Sequence, residues 1–401
     1  MTTVQDALAG PSGPPPSLGA PPDHRRSPIP TVGMIVSRFT ELRKRRGLMV
    51  LLVLVTVGIP GVFLAIRLIL HAAAPKTYGP AGGYDIYTGM VSGVLYTFGF
   101  IVAAALGATA GSSDLTEGMF RHEVVTGRSR LALYLARIPA GFTIIGSLVA
   151  VGFAIVCAVC VFAAPTHLRF DGVSVPGHLS RAGLQNWAAD HADEVVCDFD
   201  FRAGPSSPLA SVVSNVPCGR GPGPSAGPKA IIAPPPGAAT THPPSRTQVI
   251  RAARLIAAAD YPAYSSQFLS PPVSLMVKSG LWLELGAFVG FIVGLGLGSL
   301  TGQRTVTIVL MIILEVVLTP ILSRAHIPHM INLQRAVVGL ATAHLAPGGL
   351  PVLGGGGGGP AGGSGNPELI SETTLVASLV VSAWLVGWTI IGAWRMMTRD
   401  A

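Results

Sequence analysis

Charge is scarce in this chain. Only 11% of its 401 residues are Asp, Glu, Lys or Arg, and mean hydropathy is +0.56. A soluble domain carries about 25% charged residues. That deficit excludes an ordinary water-soluble globule of this length. Lysine is scarcer still, with Lys44, Lys76, Lys229 and Lys278 the only four. None stands in G-x-x-x-x-G-K-[ST], the loop whose backbone amides and lysine cradle nucleotide phosphates. Hydrolysis of ATP through such a loop is therefore excluded. Cysteine is also sparse. Cys197 and Cys218 fall in one long polar segment and can form a disulfide if that segment faces an oxidising side. Cys157 and Cys160 form C-x-x-C inside an apolar run. Zinc there would need further ligands, so the pair reads as two buried thiols. His326 and His329 flank Pro328, but two ligands do not make a metal site. No nucleophile, base and acid share a depth along the chain. No catalytic residue, no metal and no cofactor are expected.

Long apolar runs are abundant. Six stand out, at 48–70, 91–111, 138–164, 281–301, 304–323 and 375–394. Runs of about 20 apolar residues cross a bilayer as helices, because hydrocarbon satisfies no free backbone group. The expected class is an all-α polytopic integral membrane protein of about six transmembrane helices.

The net charge of +8 could suggest nucleic acid, but its placement argues against that. Arg38, Arg43, Lys44, Arg45 and Arg46 precede the first run, and Arg121, Arg128, Arg130 and Arg137 separate the second from the third. Arg304 separates the fourth from the fifth, and Arg395 and Arg399 end the sixth. Every second gap is short and carries arginine. By the positive-inside rule both termini face the cytoplasm of a plasma membrane, and the other gaps face out. Arg324 and Arg335 are the exceptions on the outer side. A cleaved signal peptide is not expected, since the first run exceeds a signal h-region, although Ala72-Ala73-Ala74 resembles a cleavage site.

Along the chain, residues 1–33 read as a disordered Pro-rich tail. Segment 34–47, with Ile35, Phe39 and Leu42 at helical spacing, reads as an interfacial helix or as a simple topogenic charge cluster. Region 48–164 holds spans 1 to 3, with a cytoplasmic loop at 112–137. Segment 165–280 is an external stretch with a Pro/Gly linker at 217–244. Within it, Val249, Ala253, Ile256 and Ala257 predict an amphipathic helix near the outer membrane face. Region 281–401 holds spans 4 to 6, with an outer segment 324–374 that contains six consecutive glycines at 354–359. Such a run cannot bury side chains and is expected to be mobile.

Residues 111–137 read GSSDLTEGMFRHEVVTGRSRLALYLAR. Asp114 and Glu117 have capping-box spacing. Gly127 suits a helix end, so the spacing predicts a short helix over 115–126. Ser129 can cap a further helix from Arg130 that runs into span 3 and tolerates Pro139. On spacing alone, a docking helix and a solvated loop with topogenic arginines stand equally.

The same stretch resembles the cytoplasmic loop of ABC-type-2 membrane permeases, on Asp114, Gly118, Arg121, Gly127, Ser129 and Arg130. The match covers about 27 residues. The resemblance implies a permease subunit whose coupling helix docks a separate P-loop ATPase. The implied docking residues are Asp114, Glu117, Gly118, Arg121, Gly127, Arg128 and Arg130. It further implies an elbow helix at 34–47, a second permease copy and a transported substrate, moved outward. Membrane lipid is the surrounding partner, and nucleic acid is not expected. The long external segment departs from compact family members. Three rivals remain: a scaffold or sensor that uses 165–280 as its external module, a proton-coupled transporter that uses Glu315, and a membrane-embedded enzyme.

Two runs carry small-residue ridges: Gly286, Gly290, Gly294 and Gly298 in span 4, and Gly99, Ala103, Gly107 and Gly111 in span 2. Such ridges let helix backbones approach closely in lipid, as static packing or as a sliding seam. Glu315 lies mid-way along span 5 with Thr319 and Pro320 a turn on. An ionised side chain at that depth costs roughly 2.5–3.5 kcal/mol on insertion scales. Glu315 is therefore either a pathway residue or an interhelical hydrogen-bonding one. Glu284 and Arg67, nearer the outer ends of their spans, can reach the interface.

Overall fold

The computed structural model describes residues 29–117, 129–170, 173–198, 245–265, 268–324, 331–348, 350 and 372–398. Six helices are long and apolar enough to cross a membrane. They are span 1 (Arg46–Ala73), span 2 (Tyr84–Ser112), span 3 (Arg130–Phe162), span 4 (Val273–Thr301), span 5 (Arg304–Leu322) and span 6 (Thr374–Thr398). Each contains most of one apolar run of the sequence. Span 3 starts where Ser129 caps it, the Ser129 hydroxyl accepting from Ala132 N–H at 3.2 Å. Pro139 sits inside that helix.

The spans alternate in direction. On one side of the bundle, Arg130 Nη1 at the start of span 3 donates to Met397 O at the end of span 6, 3.2 Å away. On the other side, Gly83 N–H donates to Cys160 O at 3.0 Å, and Tyr84 N–H donates to Leu269 O at 3.1 Å. The start of span 2, the end of span 3 and the approach to span 4 meet there.

Spans 2 and 4 form the centre. Of the residues in their apolar stretches 67% and 72% are buried, against 22% for spans 1 and 5 and 17% for span 6. Glycine explains the difference. A Cβ on Gly290 would lie 2.6 Å from Phe100 O, and one on Gly298 2.7 Å from Ala108 O. Gly294 is seated against Ala104 in the same way, and Gly107 against Phe291. The two backbones therefore touch along about three turns, with no side chain between them. Gly99 departs from the expected ridge. A Cβ added there would meet only Val149 of span 3, at 3.9 Å, so Gly99 looks away from span 4. The reason is a ridge that drifts round the helix: the span 2 residues facing span 4 are Phe100, Ala104, Gly107, Ala108 and Gly111.

The segment before span 1 is a helix, Val32–Lys44, packed against span 3. Its buried residues are Met34, Arg38 and Leu42, while Ile35 and Phe39 pack at the edge. Arg38 is accommodated by Glu41, with Nη1 to Oε2 at 2.7 Å. The helix breaks at Arg45 and span 1 begins at once.

Segment 165–280 departs from an all-helical chain. A β-hairpin, β1 (His167–Phe170) against β2 (Val173–Pro176), follows span 3. Helices Arg181–Asp190, Ala192–Asp198 and Arg246–Ser265 pack beside it. Together they enclose a separate core of Val173, Val175, Leu184, Val195, Val249 and Ile256, among others. The apolar face of the Arg246–Ser265 helix therefore meets protein. Two neighbouring helices compete for that stripe and cover it.

Segment 324–374 is likewise more than a loop. It contains helices Ile331–Arg335 and Val338–His344. Every residue from Val338 to Ala343 is buried. This short helix packs against spans 5 and 6. The glycine run 354–359 lies outside the described residues.

Candidate functional site

Two places combine polar chemistry with the spans. The first lies around Glu315. Spans 1, 2 and 5 each carry one π-helical stretch: Leu54–Gly58, Met90–Tyr96 and Ile313–Leu318. π-bulges re-aim side chains and concentrate at functional positions. Here Tyr96 and Glu315 both lie in such stretches and meet. The Glu315 carboxyl is within hydrogen-bonding reach of the Tyr96 and Thr319 hydroxyls. Tyr96 also pairs with Thr342 of the buried short helix. Trp282 of span 4 stacks on Tyr96 with ring centroids 4.3 Å apart, and its Nε1 donates to Thr342 O at 2.8 Å. Glu315 Oε2 faces Gly339: a Cβ there would lie 2.7 Å from it. Oε2 has no hydrogen-bond partner among the described residues. Glycine at 339 is what lets the short helix close over the carboxyl.

The same helix is tied down around its edges. Gln334 Nε2 donates to Leu322 O at 3.1 Å, and Trp384 Nε1 donates to Ala336 O at 2.8 Å. At its far end His344 Nδ1 lies 3.5 Å from Glu372 Oε2, just before span 6. Burial raises the Glu372 carboxyl above its ordinary range, and the charges of His344 and Arg335 pull it partly back.

The second place is the side where spans 2 and 3 are joined. Asp114 and Glu117 lie in one continuous helix, Thr97–Glu117, that extends span 2. Asp114 therefore caps no new helix. Span 2's helix simply outlasts its apolar stretch, because Ser112 to Glu117 remain good enough helix formers once packing has nucleated the turn before them. Gly118, Arg121, Gly127 and Arg128, and with them the helix expected over 115–126, lie outside the described residues beyond Glu117. Arg130 opens span 3 and contacts the end of span 6.

The remaining candidates separate. Gly286 meets the Tyr96 ring. Glu284 faces Gly146 of span 3, 2.9 Å from the place of a Cβ there. Arg67 Nη2 reaches Pro80 O at 2.8 Å, turning toward the end of the span as a snorkelling arginine does. Cys157 and Cys160 are unbonded thiols within span 3. The Cys197 side chain, Cys218, His326 and His329 lie outside the described residues. Among the described residues no cluster of three or more His, Cys, Asp or Glu could hold a metal.

Sequence reasoning missed Tyr96, Trp282, Gly339, Thr342, His344 and Glu372. One signal was present. AVVGLATAHLA, residues 336–346, is an apolar run too short to cross a membrane and too apolar for an exposed loop.

No family model matches the chain, and no curated protein or solved structure matches it.

Proposed function

We propose that this chain is the transmembrane permease subunit of an ATP-binding cassette exporter in the plasma membrane. It forms the substrate pathway, and a separate P-loop ATPase docks on its cytoplasmic loop. The subunit works with a second permease copy and hydrolyses nothing itself. The single observation that carries the reading is the 111–137 stretch, with Asp114, Gly118, Arg121, Gly127, Ser129 and Arg130 in the permease-loop pattern. The fold supports it mechanically. The stretch joins the end of span 2 to the start of span 3, and span 2 is packed backbone to backbone against span 4. A push at the Glu117 end is thus delivered to the centre of the bundle, where close-packed elements move as units between discrete arrangements. The helix Val32–Lys44, lying against span 3 on the same side, fits the elbow position.

The test is ATPase co-purification. Arg121→Glu with Arg128→Glu, at normal membrane insertion, should cut the recovered ATPase at least about tenfold. This reverses two charges at a docking surface, where like-charge juxtaposition costs several kcal/mol. Unchanged recovery overturns the reading.

Two specific observations keep rivals in play. The buried Glu315 cluster supports a proton-coupled transporter, which transport without any ATPase, lost in Glu315→Gln, would establish. The separate core of the external segment supports a scaffold or sensor built on that module.

A further inference from the structure

A cleft of about 450 Å³ opens where the break at Arg45, the end of span 2 and the turn between spans 4 and 5 converge. Its lining is Arg45, Thr109, Ser112, Gly302, Gln303, Arg304 and Thr305. Among the described residues, two guanidinium groups and no carboxylate line it. Glu41 reaches Arg45 from outside the lining, with Nη2 to Oε1 at 3.9 Å, but its other oxygen is taken by Arg38 at 2.7 Å. The hydroxyls of Thr109 and Ser112 donate back to Ala105 O and Ala108 O, each at 2.8 Å. Their oxygens therefore present lone pairs. Donors to an anion come from Arg45, Arg304, Thr305 and the Gln303 side-chain amide.

The cleft's position limits what can enter. It is bounded by the start of span 1, the end of span 2, the end of span 4 and the start of span 5. Those are the depths at which lipid headgroups lie against a six-span bundle. Arg43, Lys44 and Arg46 flank Arg45 in the sequence, outside the lining. A phosphodiester has the size, the single negative charge and the several acceptor oxygens that two guanidinium forks recognise.

We infer that this cleft binds the phosphate of an anionic phospholipid headgroup. The inference needs only the six spans and stands whether or not an ATPase docks on the loop. It accounts for arginine on two separate elements, at the junction before span 1 and at the first residue of span 5, turned into one cavity. A lipid phosphate held there ties the elbow break to the span 4–5 turn.

The test uses the full chain in vesicles of equal phosphatidylglycerol and phosphatidylcholine, extracted gently and weighed intact by native mass spectrometry. The wild type should retain phosphatidylglycerol over phosphatidylcholine. Arg304→Gln, on an exposed side chain, should lower that preference about tenfold. Arg304→Lys should restore part of it. Arg43→Gln, on the same side but outside the cleft, should leave it within twofold. A second arm titrates inorganic phosphate against a fluorescent phosphatidylglycerol. Competition at millimolar phosphate, without lipid retention, would support the phosphate chemistry and make the free ion its source. No preference in the wild type together with no competition overturns the inference. So does a preference that Arg304→Gln and Arg43→Gln reduce alike, because general surface charge would then explain it.

Discussion

Gly294 shows how one missing side chain sets the core of this molecule. Its backbone rests on Ala104, and a Cβ there would come within 2.8 Å of both the Cα and the carbonyl carbon of Ala104. These are backbone atoms in a packed helix, so they cannot rotate away. Gly294→Val should therefore separate spans 2 and 4 locally. Overpacking of this kind costs roughly 1–3 kcal/mol or more, and the detergent melting temperature should fall by several degrees. Gly387→Val in span 6, where nothing lies within 4 Å of the added atom, should be near neutral. Equal melting temperatures for the two variants would mean the seam is not the packing core. At this scale the sequence was partly legible. The four-residue repeat of Gly286, Gly290, Gly294 and Gly298 announces a seam and names one of its helices. It does not name the partner, and Gly99 shows why: a repeat of four drifts against a period of 3.6, so one end of a ridge rotates out of contact. Glu315 was legible as costly, because its position in an apolar run says so. Its partners were not, since Tyr96 and Thr342 are brought to it by packing that no local pattern records.

Among the elements, the buried helix Val338–His344 concentrates the polar contacts of the bundle. It accepts from Trp282, pairs with Tyr96, covers Glu315 and ends at His344 beside Glu372. Its hold should depend on pH through Glu372. Burial lifts that carboxyl's pKa in the folded state above its unfolded value. A group raised in this way favours the folded contact fully below the unfolded pKa. The contribution is lost as pH rises through the folded pKa. Hydrogen-exchange protection of residues 338–344, with the intrinsic pH dependence divided out, should therefore fall as pH climbs from the ordinary carboxylate range upward. One group can change it by at most about tenfold per pH unit. Glu372→Gln should flatten the dependence. A protection that instead rises with pH would mean that the ion pair with His344 outweighs burial. This element also marks where element-level reading fails. Apolar runs of about 20 residues were found because length alone identifies them. A seven-residue helix buried among spans has neither the length of a crossing nor the polarity of a loop. The amphipathic stripe at Val249, Ala253, Ile256 and Ala257 was correctly seen as a helix face. What covers it, helices Arg181–Asp190 and Ala192–Asp198, depends on chain returning from far upstream.

For the whole molecule, the question is which side of the membrane each half of the chemistry faces. The six alternating spans put the starts of spans 1, 3 and 5 on one side with the ends of spans 2, 4 and 6. Arg38, Arg45, Arg130, Arg304 and Arg395 all belong to that side. The opposite side carries the β-hairpin module, the Gly83–Cys160 junction and the end of the buried short helix at His344. Arginine resists translocation through short loops, whereas long segments cross regardless of charge. The arginine side should therefore be cytoplasmic, and the module with its separate core should be outside despite Arg181, Arg246, Arg251 and Arg254. Single cysteines placed at Arg43 and Arg246, in a background without the native thiols, decide the matter. A membrane-impermeant maleimide on intact cells should label the Arg246 position and should reach the Arg43 position only after permeabilisation. The reverse pattern would put the 111–137 loop outside the cell, where no ATP is available to a docked partner, and would remove the transporter reading together with its coupling loop. Labelling of both positions in intact cells would mean an even number of crossings between them, contrary to the three helices, spans 1, 2 and 3, that separate them in the fold.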